Sequence, residues 1–259
     1  MSSYSDLSQK LKTSLKLTLP PIAICLTASV PERIPMYDGI VPAGCSFWEK
    51  AVDGPFATST TDHELCSIGV YTHNMADPSS SFKPELETVL NVLNNLEYVR
   101  PEDLPSIAKL EHKVNYVLYS PLESTPLKPD VVLLFTHSQQ SLIITESVQQ
   151  VDSSIPPALG RPACSIVPQA INTKRAALSL GCCGARAYLK SLSDEVALWA
   201  LPGERLEQYV SRISTLAKAN ETLSQFHQIR HKKIQAGGRP SYQESLDQLE
   251  NSVNTRTNG

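Results

Sequence analysis

Leu7, Leu11 and Leu15 recur every four residues among polar neighbours, and Leu17 follows. This spacing predicts a short amphipathic helix over residues 5–17, ended by Pro20-Pro21. The unbroken apolar run Ile22-Ala23-Ile24-Cys25-Leu26 then reads as a buried strand. Residues 30–44 hold three prolines and two glycines and form a loop, and residues 47–52 fit a short helix stopped by Gly54-Pro55. Leu86, Val89, Leu90, Leu93 and Leu96 predict a helix over 83–97, with Pro84 in its first turn. Residues 114–119 and 130–136 read as strands flanking a 121–129 loop. Residues 141–151 suit a helix or a strand equally. Residues 169–180 have helical character. Ser193 is placed to cap a helix with Asp194 and Glu195 in its first turn, ending before Pro202. Leu206, Tyr209, Val210, Ile213, Leu216 and Ala217 mark a long amphipathic helix. Beyond Gly237-Gly238 the chain is polar and reads as a loose tail.

This alternation implies an α/β fold: a single domain over residues 1–235 around a mixed sheet, with a flexible tail over 236–259. Two stretches hint at similar halves, over 18–100 and 110–220. Pro42-Ala43-Gly44-Cys45-Ser46 resembles Pro162-Ala163-Cys164-Ser165. A second cysteine follows each, Cys66 after 21 residues and Cys183 after 19, and a glycine comes next, Gly69 or Gly184. Upstream, the apolar run after Pro21 resembles the one after Pro129. Short stretches of common residues can agree by chance. A real duplication would set two strand–loop–Cys–helix–Cys units face to face and bring four cysteines to one interface.

Composition narrows the function classes. The 259 residues are 41% hydrophobic and 19% charged, with a net charge of −3. That is ordinary globular composition, with no dense basic run to make a nucleic-acid-binding face. The first twenty residues lack the apolar centre of a signal peptide, and the apolar runs fall far short of the roughly 20 residues that span a bilayer. The expected location is the cytoplasm, without nucleic-acid or membrane partners. In a reducing compartment, six cysteines point to metal or catalytic roles before disulfides.

Five of these cysteines lie in four motifs, each with a Gly or Pro within three residues. Cys45, after Gly44, stands at an expected helix start, where the helix dipole favours thiolate; it could equally be a small core residue beside Trp48. Cys66 stands three residues after His63, one face of a helix and a spacing able to hold a metal. Alone that pair is a weak signal. Cys164 follows Gly160-Arg161-Pro162-Ala163, a turn that would present its thiol. In Gly181-Cys182-Cys183-Gly184-Ala185-Arg186 two glycines allow close backbone approach to a ligand, and Arg186 could pair with a bound anion. Adjacent cysteines point apart, so one of Cys182 and Cys183 is expected to ligate. Cys25, inside an apolar strand, belongs to the core. The chain has no paired CxxC motifs, phosphate loop, dinucleotide fingerprint or nucleophile elbow.

These motifs resemble domain-of-unknown-function family 169, the uncharacterised ArCR-like proteins. The likeness rests on Cys45-Ser46-Phe47-Trp48, on His63, Cys66, Ile68, Gly69, Tyr71, Thr72 and His73, on Pro121-Leu122 and Pro129-Asp130-Val131-Val132-Leu133, and on Gly160-Arg161-Pro162-Ala163-Cys164 and Leu178-Ser179-Leu180-Gly181-Cys182 with Gly184-Ala185-Arg186. It runs from about residue 20 to 215 and implies little biochemistry. The family pattern has one cysteine before Gly-Ala-Arg; here there are two, which leaves the ligand open between Cys182 and Cys183.

The residues themselves point first to a cysteine-ligated metalloprotein holding an iron–sulfur cluster, with zinc as the alternative metal. Cys45, Cys66, Cys164 and Cys182 or Cys183 are the expected ligands, with His63, Gly181, Gly184 and Arg186 around them. A small-molecule redox or lyase-type role, with a small-molecule substrate or a redox partner, would follow. A metal-free thiol-redox enzyme or sensor is the second reading, and a non-catalytic ligand-binding protein the third.

Overall fold

The computed structural model describes residues 3–257, with side chains to residue 250. In chain order the elements are α1 (Tyr4–Leu15), β1 (Ile22–Thr27), α2 (Ser46–Lys50), β2 (Phe56–Thr58), α3 (Ser67–Thr72), α4 (Phe82–Asn95), β3 (Tyr116–Pro121) and β4 (Val131–His137). There follow α5 (Ser138–Val151), β5 (Ala158–Leu159), α6 (Ile166–Thr173), β6 (Ala177–Ser179), α7 (Cys183–Tyr188), β7 (Val196–Pro202), α8 (Leu206–Gln235) and α9 (Tyr242–Thr257). A short 3-10 turn at Thr61–His63 precedes the segment that carries Cys66, and a second at Ala163–Ser165 contains Cys164.

All seven strands join one sheet in the order β2-β3-β1-β4-β7-β6-β5. Every pairing is antiparallel except β5 with β6, so the sheet is mixed and the fold is a single α/β domain. The strand pattern repeats outward from the centre. β1 pairs with β3 and β3 with β2; β4 pairs with β7 and β7 with β6. The registers match as well. Ile22 at the head of β1 faces Pro121 at the end of β3, as Val131 at the head of β4 faces Pro202 at the end of β7. Phe56 and Thr58 face Tyr119 and Val117, as Ala177 and Ser179 face Ala200 and Leu198. The division between the two arrangements falls between Pro121 and Val131, so β3 goes with β1 and β2, whereas the sequence pattern grouped it with the second half.

Alternation of side chains along each strand divides the interior in two. Ala23, Val132, Leu134, Trp199 and Leu201 pack under α1, α5 and α8. Ile24, Val117, Tyr119, Leu133, Phe135 and Leu198 pack on the other face, under α2, α6 and the loops that carry Cys45 and Cys164. One face of the sheet is therefore closed by long helices. The other is closed by short helices and loops, which is where function concentrates on a rigid scaffold.

Three segments differ from the sequence pattern. The helical character read over 169–180 ends at Thr173, and Ala177–Ser179 is strand β6, held by pairing with β7. Val196–Pro202 is a strand where Ser193, Asp194 and Glu195 suggested a helix start. Ala and Leu have high helix propensity, but this run lies between β4 and β6 with both faces covered, and tertiary pairing overrides propensity. The expected loose tail over 236–259 contains α9, which packs on α8: Tyr242 stacks on Phe226, and Arg230 lies 4.4 Å from the Tyr242 ring centroid. Residues 258 and 259 lie outside the described residues. Among the described residues no helix is long and apolar enough to cross a membrane.

Candidate metal centre

Three motif cysteines occupy the cap position of a short helix. Cys45 precedes α2, Cys66 precedes α3 and Cys182 precedes α7. Cys164 lies in the 3-10 turn that leads into α6. A helix start leaves N–H groups without intrahelical partners, and two of the sulfurs take them up. The Gly69 N–H donates to Cys66 Sγ at 3.3 Å and the Ala185 N–H donates to Cys182 Sγ at 3.5 Å. The Gly44 N–H also favours the Cys66 thiolate.

The four thiols meet on the loop-covered face of the sheet. Each of the six pairs among Cys45, Cys66, Cys164 and Cys182 lies within electrostatic range. Cys45 and Cys164 are buried; Cys66 and Cys182 are half-buried at the rim. Cys183 is exposed and joins none of these pairs, so of the two adjacent cysteines Cys182 is the one that stands with the other thiols. Cys25 lies on β1 between residues that face the other way, buried against Thr125 and Leu127, with its thiol 3.6 Å from the Thr125 hydroxyl.

Burial dominates the electrostatics. It pushes the Cys45 thiol up to about 12, and the neighbouring Cys66 and Cys182 add to that. Burial likewise raises Cys164 well above the ordinary range, with Cys66, Cys182 and Cys45 contributing and Thr72 opposing. Cys66 is raised by burial against the help of its two backbone N–H donors. The helix-start advantage expected for Cys45 is thus outweighed by desolvation and by like charges close by. Such a group resists becoming four thiolates unless a cation shares the site.

His63 does not share a helix face with Cys66, because a 3-10 turn ends at His63 and Cys66 begins the next helix. The Thr58 hydroxyl donates to the Val117 carbonyl at 3.2 Å, so it accepts from His63 Nε2–H at 3.0 Å. That leaves His63 Nδ1 as a bare acceptor, buried and without a partner. It points at Gly44, where a Cβ would come within 2.8 Å, so only glycine fits immediately before Cys45. His73 donates from Nδ1 to the Gly69 carbonyl at 3.1 Å and leaves Nε2 unpartnered.

Tyr119 was not legible as a site residue, since in sequence it is one aromatic in a strand. It stacks on Phe47 with ring centroids 5.6 Å apart, is fully buried, and its hydroxyl has no partner. It lies within electrostatic range of Cys45, Cys164 and Cys66. Ser46 Oγ and Trp48 Nε1, on the helix that follows Cys45, are likewise buried without partners. Each such group costs about 1–3 kcal/mol if nothing satisfies it. Of these groups, Tyr119 is the one with Cys45, Cys164 and Cys66 as electrostatic neighbours.

Gly181 sits at φ +88°, a conformation that suits glycine, and turns the chain into Cys182. Gly184 meets no such demand: a Cβ there would touch only Tyr188 at 3.7 Å. Arg186 donates from Nε and both terminal nitrogens to the carbonyls of Leu180, Leu192, Ser193 and Val196. These bonds tie the loop around Cys182 to the stretch that enters β7, and the Asp194 carboxylate stands 3.8 Å from one terminal nitrogen as an ion-pair partner.

Thiolate ligands with N–H groups aimed at sulfur fit an iron–sulfur cluster. Among the described residues no three His, Cys, Asp or Glu side chains stand as ligands to a single ion.

Comparison with known proteins places this geometry in a family. A curated relative, the uncharacterised protein MJ0308 of Methanocaldococcus jannaschii, is 25% identical over 221 residues, covering 80% of this chain and 91% of that protein. No solved structure matches. The profile of DUF169, described as uncharacterised ArCR, matches residues 10–212 and so takes in the whole sheet and all four converging cysteines; the chain belongs to that family.

Proposed function

We propose that this is an iron–sulfur protein of the cytoplasm whose cluster is held by Cys45, Cys66, Cys164 and Cys182. The observation that carries the reading is the convergence of four thiols from four separate segments, two of them already accepting backbone N–H bonds. Independent core cysteines have no reason to gather in this way. The thiols are close enough to feel one another, and an all-cysteine set drawn from separate segments is the ligand chemistry of an iron–sulfur cluster. Bound, the cluster would supply one-electron transfer or a Lewis-acidic iron, for a redox or lyase-type reaction on a small molecule. The chain's own part is to exclude water with Phe47 and Trp48, to fix the sulfurs by short helices, and to aim N–H donors at them.

A metal-free thiol-redox role needs a thiol of lowered pKa, and burial pushes Cys45, Cys66 and Cys164 the other way. Anaerobically purified protein is expected to be brown and to contain iron and acid-labile sulfide. Cys182→Ser should lose most of that iron and Cys183→Ser should keep it. Colourless, iron-free protein from iron-replete anaerobic cells would falsify the assignment.

A further inference from the structure

Tyr119 is the buried donor with the clearest relation to the thiols. It stands on β3 directly opposite Phe56 of β2, and its ring packs in a triangle with Phe47 and Phe56, centroids 5.6 Å away in each case. That packing fixes the ring and the position of its hydroxyl oxygen. The hydroxyl is buried without an acceptor, and the groups it senses electrostatically are Cys45, Cys164 and Cys66. The matching position in the other half of the sheet, opposite Ala177 on β6, is Ala200.

We propose that the Tyr119 hydroxyl donates a hydrogen bond to a sulfur of the cysteine-held cluster and sets its reduction potential. This rests on the iron–sulfur reading above. A buried phenol O–H needs an acceptor, and the cysteines it senses would, as thiolate ligands of a cluster, be electron-rich acceptors of that kind. A donor to sulfur withdraws charge from the cluster and favours the reduced state, which carries one more electron. Tyr119 is then a positioning residue that acts through electrostatics and leaves the iron uncoordinated by oxygen.

The test is Tyr119→Phe, which keeps the stacked ring and removes only the hydroxyl. Iron and sulfide content should match the parent protein, while the midpoint potential, read by redox titration with visible and electron paramagnetic resonance detection, should move to more negative values. Incorporation of a fluorinated tyrosine at position 119 strengthens the donor without disturbing the packing and should move the potential positive; it also covers the case in which Tyr119→Phe folds poorly. Equal potentials in parent and variants, with clusters present in all, overturn the role of Tyr119 and leave the cluster assignment standing. Iron-free parent protein overturns both together.

Discussion

His63 and His73 sit fully buried with ring centroids 5.9 Å apart. Burial drives His63 down to about 3, helped by the neighbouring His73, and drives His73 down to about 4. Both are neutral in the folded protein and protonate near 6.5 once unfolded. Between those values the unfolded chain binds more protons, so stability is full above pH 6.5 and is lost as pH falls toward 4 and 3. Each histidine contributes a slope of about 1.4 kcal/mol per pH unit in the middle of its window. Urea unfolding of cluster-free protein should show this decline, and replacing both histidines by glutamine should flatten it; an unchanged slope would show that other groups dominate. At the same scale, thiol alkylation of cluster-free protein at pH 8 should reach the exposed Cys183 first. Cys45 and Cys25, each at about 12, and Cys164, raised well above the ordinary range, should label last or only on unfolding.

Short helices α2, α3 and α7 are each five or six residues long, too short to be stable alone. They persist because loops and the sheet hold their ends. Arg186 is the clearest tie: its guanidinium bridges the carbonyl before Gly181 to the stretch that enters β7, and fixes the loop that carries Cys182. Replacing Arg186 by methionine keeps the stem and removes every donor. The expected loss is about 1–3 kcal/mol in chemical denaturation, from carbonyls left without partners. Cluster content should fall with it, because Cys182 loses its fixed position. Lysine, with three donors on one nitrogen, should restore only part of either. Element identity also followed context. Val196–Pro202 is strand because β4 and β6 flank it, a fact that residue composition cannot carry.

Across the whole molecule, the two faces of the sheet divide the work. Helices α1, α5 and α8 bury one face around Trp199, Tyr209 and Leu11 and supply stability that does not depend on the site. The other face is closed by the segments that bring the thiols together, so anything bound there ties four distant parts of the chain to one another. A ligand that binds only the folded state stabilises it by mass action. Removing the cluster with a chelator under oxidising conditions should lower the thermal midpoint and speed proteolysis of the loops around Cys45, Cys66 and Cys182. Helix α1 and the α5–α8 layer should stay protected in hydrogen exchange. Uniform loss of protection across both faces would count against this division.

The sequence by itself determined much of the architecture: helix α1, strands β1 and β4, the start of α8, the mixed α/β class, and the five cysteines worth attention. Each is written in local periodicity or in residue type, which short-range physics reads directly. Tertiary structure alone decided which of two adjacent cysteines turns inward, because Gly181 and the Arg186 clamp orient that loop. It alone showed that Arg186 is engaged by backbone carbonyls and Asp194, that His63 lies against Gly44 and not on a helix face with Cys66, and that the Tyr119 hydroxyl is buried without a partner. These depend on groups far apart in the chain, brought together by strand register and desolvated on folding. Burial then reversed the expected electrostatics of Cys45, since removing water from a thiol outweighs the partial charge of a five-residue helix.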